Sequence, residues 1–228
     1  MNTCQALNKL KENILDILFP RFCLGCGREG LYICKDCEIF LSEVEPSTCE
    51  VNATTSQVTS VWEYEGLMEK LIYKIKFDGC YDIIDELVEK ALEKIDLKLP
   101  EDTVITFVPM RKKWQRKRGF NQSELIARKL GQLLDLVEQP LLEKVRDNRS
   151  QVGLGPEERK ENVKGVFRSL LTSDFNKLLL KSEVNKVNVL LVDDVYTTGA
   201  TMNECMKVLK KAGVKNIWGF TLARKLNI

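Results

Sequence analysis

Apolar and polar positions along this chain switch between two periods, and the switches outline its elements. Near the start, Leu7, Leu10, Ile14 and Ile17 recur at helical spacing, which predicts an amphipathic helix over 3–18 stopped by Pro20. Residues 43–57 are rich in Ser, Thr and Glu and read as a linker. After it, 58–64 alternates as a strand, 65–77 returns to helical spacing, Gly79 breaks it, and 81–95 reads as a second helix. Residues 102–109 suit a buried strand, and a further helix continues to Leu134. A short strand is expected at 165–169 and a helix or loop at 171–186. The Val/Leu run 189–192 suits a buried parallel strand, 202–212 a helix ending at Gly213, and 216–222 a last strand. No segment repeats. The alternation of strand and helix predicts an α/β architecture, with the boundary placed so that 1–57 and 58–228 form separate units.

At 228 residues the chain can bury a sizeable core and still carry a small appendage. Its 35 Lys and Arg against 33 Asp and Glu leave a net charge of +2, so a nucleic-acid role needs a local patch, because bulk charge does not supply one. There is no histidine, which excludes Ser-His-Asp and Cys-His catalysis and any histidine metal ligand. No signal-peptide pattern is visible and the apolar runs are shorter than a membrane span, so a cytoplasmic protein without membrane insertion is expected. The first helix is expected to face a core or a partner, with a membrane-surface role as the alternative.

Eight cysteines in such a chain point to thiolate–metal chemistry. Cys23-Leu24-Gly25-Cys26 and Cys34-Lys35-Asp36-Cys37 are two C-x-x-C knuckles that can wrap one tetrahedral Zn²⁺, with Gly25 and Gly27 allowing tight turns. A closed four-thiolate site is structural, and a segment this short needs the metal to fold. The alternative is a redox pair, although a redox motif uses one such knuckle at a helix start. Cys4, Cys49, Cys80 and Cys205 are expected to be unligated thiols, with Cys49 the best stand-in ligand.

The chemistry gathers around 187–201. The buried strand ends in two adjacent carboxylates, Asp193 and Asp194, followed by Thr197, Thr198, Gly199, Ala200 and Thr201 and then a helix. In open α/β sheets ligands sit at the carboxyl ends of strands. A small-residue loop entering a helix offers amides, hydroxyls and a positive dipole end, which are the parts of a phosphate cradle. Carboxylates would repel the phosphate itself, so they suit sugar hydroxyls or a hydrated Mg²⁺. The expected ligand is a sugar with free hydroxyls and a phosphate beyond it. A buried strand, a polar turn and a threonine cap fit each piece separately, but two adjacent acids at a buried strand end are costly unless used.

A second segment is cationic. Arg111, Lys112, Lys113, Arg116, Lys117 and Arg118 surround Trp114 in what reads as a loop at a strand end. It suits pyrophosphate or a nucleic-acid backbone, with Trp114 stacking on a base. A solvated loop with Trp114 as a packing anchor is the alternative. Asn121 or Ser123 is placed to cap the next helix. The stretch 146–162, with Gln151, Arg159 and Asn162, is long enough to be a lid over a site, or is a surface loop.

The segment 189–201 resembles the PRPP (phosphoribosyl pyrophosphate) loop of type I phosphoribosyltransferases, and no Gly-Lys-Ser/Thr follows a strand as a Walker A loop would require. With Arg118-Gly119-Phe120-Asn121-Gln122-Ser123-Glu124-Leu125, Gln151-Val152-Gly153-Leu154, Asn162-Val163-Lys164-Gly165-Val166-Phe167, Leu222-Ala223-Arg224 and the double C-x-x-C, nearly the whole chain resembles the ComF family of competence and DNA-utilisation proteins. Cys80 departs from that pattern, since an acid commonly follows the glycine in Lys76-Phe77-Asp78-Gly79. The resemblance implies a phosphoribosyltransferase-like parallel sheet flanked by helices behind a zinc-ribbon-like module. It implies that Asp193 and Asp194 hold ribose hydroxyls, that Thr197–Thr201 hold the 5′-phosphate, and that Mg²⁺ accompanies PRPP. It also implies handling of internalised single-stranded DNA beside a helicase-like partner. Arg111, Lys112, Arg116, Lys117 and Arg118 are the candidates for pyrophosphate or nucleic-acid contact. A non-catalytic PRPP- or nucleic-acid-binding role is the alternative.

Overall fold

The computed structural model describes residues 20–45, 47–51, 54–147, 158, 162–171 and 187–226. The expected helix over 3–18, most of 171–186, and the lid residues Gln151 and Arg159 lie outside the described residues. The chain divides into two compact units after Ser42.

In the first unit the two C-x-x-C knuckles are joined by tight turns. The Gly27 amide closes back on the Cys23 carbonyl at 2.8 Å, and Gly27 has φ 77°, a conformation that excludes most side chains. The second knuckle opens α1 (Lys35–Glu38). Besides the cysteines, Ile33 and Leu41 are the buried apolar residues among those described here. Among the described residues these make only a small core, which suits a segment cross-linked by a metal.

The second unit is built on a six-stranded sheet in the order β1-β2-β8-β7-β3-β4. The strands are β1 (Ser47–Val51), β2 (Thr54–Glu63), β3 (Thr103–Phe107), β4 (Val137–Glu138), β7 (Asn188–Tyr196) and β8 (Asn216–Arg224). All neighbours are parallel except β1, which pairs antiparallel with β2 at the edge. A separate antiparallel pair joins β5 (Leu142–Lys144) to β6 (Phe167–Ser169). The central strands are apolar throughout because both faces are covered; Val189 to Val192 and all of β3 are buried.

The helices carry the expected apolar stripes. In α2 (Gly66–Asp78) Leu67, Met68, Leu71, Ile72 and Ile75 are buried, and in α3 (Ile83–Lys94) Ile83, Ile84, Leu87, Val88 and Ala91. The α5 helix (Gln122–Leu134) lies so close to β3 that a Cβ on Gly131 would stand 3.5 Å from Ile105 Cγ2 and 2.9 Å from the Leu136 carbonyl. In α6 (Ala200–Lys211) Met202, Cys205, Met206 and Leu209 pack into a cluster that includes Val189, Leu191, Leu142 and Phe167. No helix among the described residues is long and apolar enough to cross a membrane.

Two segments differ from the sequence reading. The stretch 43–57 is not a linker: the Val44 amide donates to the Val61 carbonyl, and most of the rest forms β1 and the start of β2. Polar composition concealed it, since Thr and Val carry strand preference whatever their polarity. The unit boundary therefore falls at the near end of that stretch, before Glu43. The cationic segment is not a loop but a short helix, α4 (Lys112–Arg118), started by Arg111 and ended by Gly119 at φ 92°. Lys, Arg and Gln are good helix formers, and this outweighed mutual repulsion.

Candidate active site and metal centre

The strand β7 runs on through both acids to Tyr196, so Asp193 and Asp194 are fixed by the sheet rather than by a loop. Asp193 Oδ1 accepts from Ser123 Oγ at 2.8 Å and from the Asp194 amide at 2.9 Å. Asp194 Oδ1 accepts from the Val195 amide at 2.9 Å, while Oδ2 faces Lys76 Nζ at 2.6 Å. Burial and then the charge of Asp194 push the Asp193 carboxyl up to about 7, although the hydrogen bonds from Ser123 and the Asp194 amide and the charge of Lys76 oppose them. Burial alone would depress the Lys76 ammonium, but the charge and hydrogen bond of Asp194, with the charge of Asp193, hold it above the ordinary lysine value.

Beyond β7 the chain turns through 197–199 into α6. Gly199 has φ 72°, and a Cβ there would lie 2.1 Å from the Tyr196 hydroxyl. Only glycine lets the turn close over that ring, which is itself covered by the Arg224 guanidinium at 5.5 Å. The turn brings backbone amides to the first turn of a twelve-residue helix. Thr198 Oγ1 and Asn203 Oδ1 are buried beside the turn without hydrogen-bond partners. A cavity of about 190 Å³ lies over this turn. Asp193, Asp194, Thr197, Gly199, Ala200 and Thr201 line it, as do Tyr64, Lys76 and Thr221. Thr198, unlike its neighbours in the turn, does not line it.

The cationic candidates stand differently. None of Arg111, Lys112, Arg116, Lys117 and Arg118 is among the described residues that line the cavity. Arg111 donates to the Val145 carbonyl and faces Asp147 at 3.5 Å. Lys112, Arg116 and Lys117 are exposed. Arg118 donates to Gln122 Oε1 at 2.7 Å; burial lowers its pKa and the charge of Asp194 works against that. Trp114 is not a packing anchor but stands exposed. Asn162 opens the short turn before β6 and does not line the cavity.

Sequence reasoning missed Lys76, Tyr64 and Thr221, and gave Ser123 only a capping role. Asn121 is the cap: its Oδ1 accepts from the Ser123 amide at 3.2 Å. The Asn121 Nδ2 also donates to the Val108 carbonyl at 3.1 Å, which ties the two ends of the α4 excursion together and aims Ser123 at Asp193. One signal for Lys76 was present. It lies four residues after Ile72, on the stripe that buries Met68 and Ile72, where a cation needs a partner.

In the first unit the sulfurs of Cys23, Cys26, Cys34 and Cys37 all lie within 4.8 Å of one another. A tetrahedral zinc with Zn–S of about 2.3 Å needs sulfurs about 3.8 Å apart, so the cage fits with small adjustment. Burial works against the Cys23 thiolate, but backbone hydrogen bonds from Cys34, Cys26 and Gly25 bring its pKa down to about 6.

Residues 82–227 match the phosphoribosyl transferase domain family, and residues 14–67 match the double zinc ribbon domain family. The four-cysteine cage is accordingly a Zn²⁺ site. Competence protein F of Haemophilus influenzae is 34% identical, over 90% of this chain and 85% of its own length. Competence protein ComFC of Bacillus subtilis is 25% identical over 89% and 77%, and DNA utilization protein YhgH of Salmonella typhimurium 28% identical over 90% and 84%. The match over most of the chain, together with the acid pair at the end of β7 and the four-thiolate cage ahead of it, makes this protein a member of the ComF family, a phosphoribosyl transferase domain preceded by a double zinc ribbon.

Proposed function

We propose that this protein binds PRPP at the β7–α6 turn and acts in the cytoplasm on, or alongside, single-stranded DNA taken into the cell. One observation carries the reading: two adjacent carboxylates, counter-charged by Lys76, stand beside a glycine-tightened turn that opens a helix. Asp193 and Asp194 accept the ribose hydroxyls. The amides of 197–201 and the Thr197 and Thr201 hydroxyls, which line the cavity, take the 5′-phosphate. The names of the relatives, competence and DNA-utilisation proteins, support the DNA setting.

The chemistry of such a site is displacement at ribose C1. The bond to the pyrophosphate oxygen breaks with its electron pair, and a bond from an acceptor nucleophile forms through an oxocarbenium-like transition state. No protein nucleophile is needed, in keeping with a chain without histidine. The residues supply position and charge. The donor set, two carboxylates and ligand oxygens, suits a hard cation, so Asp193 and Asp194 would hold Mg²⁺ together with the ligand. When bound, Mg²⁺ offsets charge on the leaving pyrophosphate. Arg118 stands outside the cavity lining, donating to Gln122 with its guanidinium over the Phe77 ring. The exposed Lys112, Arg116 and Lys117 suit a nucleic-acid backbone instead.

Calorimetric titration of the zinc-loaded protein with PRPP and Mg²⁺ tests the site. Micromolar binding in the wild type, lost in the Asp193→Asn/Asp194→Asn double variant, is expected. Absence of binding in the wild type would overturn the assignment.

A further inference from the structure

Lys76 enters the site from a helix whose outer side is unusual. On α2, Tyr73 and Phe77 are 55% and 64% exposed, and their rings meet at 4.8 Å. The Arg118 guanidinium of α4 lies 5.8 Å over the Phe77 ring. One helical turn back on α4 is Trp114, 47% exposed, with the ammonium groups of Lys113 and Lys117 at 5.8 Å and 5.6 Å from its ring. Two residues beyond Arg118, Phe120 meets Tyr81 edge-on at 5.7 Å, and Tyr81 is 58% exposed. Two helices and two turns far apart in sequence thus present four exposed aromatic rings, with the half-buried Phe120 against Tyr81, interleaved with cations.

Four large aromatics left this open to water are a liability unless something covers them. The cations decide what does. Lys113 and Lys117 stand over Trp114, and Lys112 and Arg116 are exposed on the same helix; against them stand Asp78, paired with Lys74, and Asp82, so the surface stays net positive, which disfavours a second copy of the same surface. A strand of nucleic acid whose bases are unpaired offers phosphates to the cations and flat faces to the rings, and this pairing tolerates any sequence. A duplex offers phosphates alone. We infer that the surface formed by Tyr73, Phe77, Tyr81, Trp114 and Phe120 is a base-stacking ledge for single-stranded nucleic acid, with α4 following the backbone. It extends the contact beyond the cationic residues of α4 to α2 and the turn after it. It rests on the single-stranded DNA part of the proposed function and not on the binding of PRPP at the acid pair.

The test is fluorescence anisotropy of a labelled oligothymidylate with the full-length, zinc-loaded protein at several salt concentrations. Phe77→Ala and Tyr81→Ala alter exposed side chains and leave the buried stripe of α2 intact. Each is expected to weaken binding about 5- to 150-fold without changing the slope of log K against log salt. The Lys113→Gln/Lys117→Gln variant is expected to do the reverse, lowering that slope by about 1.4 for two phosphates. Both aromatic variants should retain the wild-type response to PRPP, and Asp193→Asn should retain oligothymidylate binding. Aromatic variants that bind within twofold of wild type would overturn the ledge. So would a wild-type dimer that Phe77→Ala dissolves, which would make the surface a self-association face.

Discussion

Replacing Lys76 by methionine keeps most of the side chain's bulk and removes its charge. What remains is a pair of adjacent carboxylates at the end of a buried strand. The Lys76 Nζ to Asp194 Oδ2 distance is 2.6 Å, with side-chain exposures of 22% and 8%. At that separation the attraction is about 6 kcal/mol for an effective dielectric of about 20, part of which offsets the desolvation of both ions. Removing one partner of such a pair costs about 3–5 kcal/mol, because the other charge is left buried and alone. The remaining acids can relieve this by taking up a proton. Asp193 already titrates near 7, with Lys76 among the influences holding it down, so the variant's acid pair binds its proton more tightly still. A carboxyl whose folded pKa is raised favours the folded state below its unfolded pKa and loses that advantage as pH climbs through the folded value. The deficit of Lys76→Met relative to wild type should therefore be clearly smaller at about pH 5.5, where both proteins already hold the proton on Asp193, than at about pH 8, and should approach the full value of about 3–5 kcal/mol only above the variant's own raised pKa. Urea unfolding at the two pH values reads this directly. A deficit under about 1 kcal/mol, or one equal at both pH values, would falsify the account of Lys76 as the buried counter-ion of the acids.

Other expectations follow from single features. PRPP affinity should rise as pH passes upward through about 7, as Asp193 becomes a full acceptor, and Ser123→Ala should move the midpoint higher because its hydroxyl stabilises the carboxylate; calorimetry at stepped pH checks both. Ribose 5-phosphate should bind about 10- to 150-fold more tightly than 2-deoxyribose 5-phosphate, the worth of one lost hydrogen bond to a charged acceptor, and equal affinities would remove the acids from sugar recognition. Gly199→Ala should cost about 1–3 kcal/mol in backbone strain alone, with PRPP binding lost as Tyr196 is displaced; denaturant unfolding and calorimetry separate the two effects. Cys26→Ala with Cys37→Ala should lower bound zinc by one ion per chain, as read by elemental analysis of the purified protein.

The parts legible in sequence were those where one chemical requirement acts locally. The spacing of the two knuckles already specified a cage, because four thiolates so close in the chain leave the metal little choice. The run from Val189 to Thr201 already specified strand, acids and turn, because each needs a particular residue type in a particular order. Even there the strand is longer than its apolar run, since β7 continues through Asp193 and Asp194 to Tyr196. Sheet pairing with Thr221 and Ala223 of β8 holds that extension. Periodicity sees burial, and it stops where the strand begins to carry acids that face the cavity.

What sequence could not supply was convergence. Lys76 lies 118 positions before Asp194, Ser123 lies 70 before Asp193, and neither sits in a motif that announces a partner. The same limit hid the aromatic ledge. Tyr73, Phe77, Tyr81 and Phe120 read singly as surface or core aromatics, and only the fold brings them beside Trp114 and Arg118. Both features share a cause: the last turns of α2 lie beside the end of β7, so one helical turn places Lys76 against the acids while Tyr73 and Phe77 stay open to water. A single turn of helix thereby borders both the proposed sugar-phosphate site and the proposed nucleic-acid surface. Changes to its two sides should separate the two activities, with Lys76→Met acting on PRPP and Phe77→Ala on the oligothymidylate. If instead each change abolished both, the two surfaces would be one site, and the division drawn between them would be wrong.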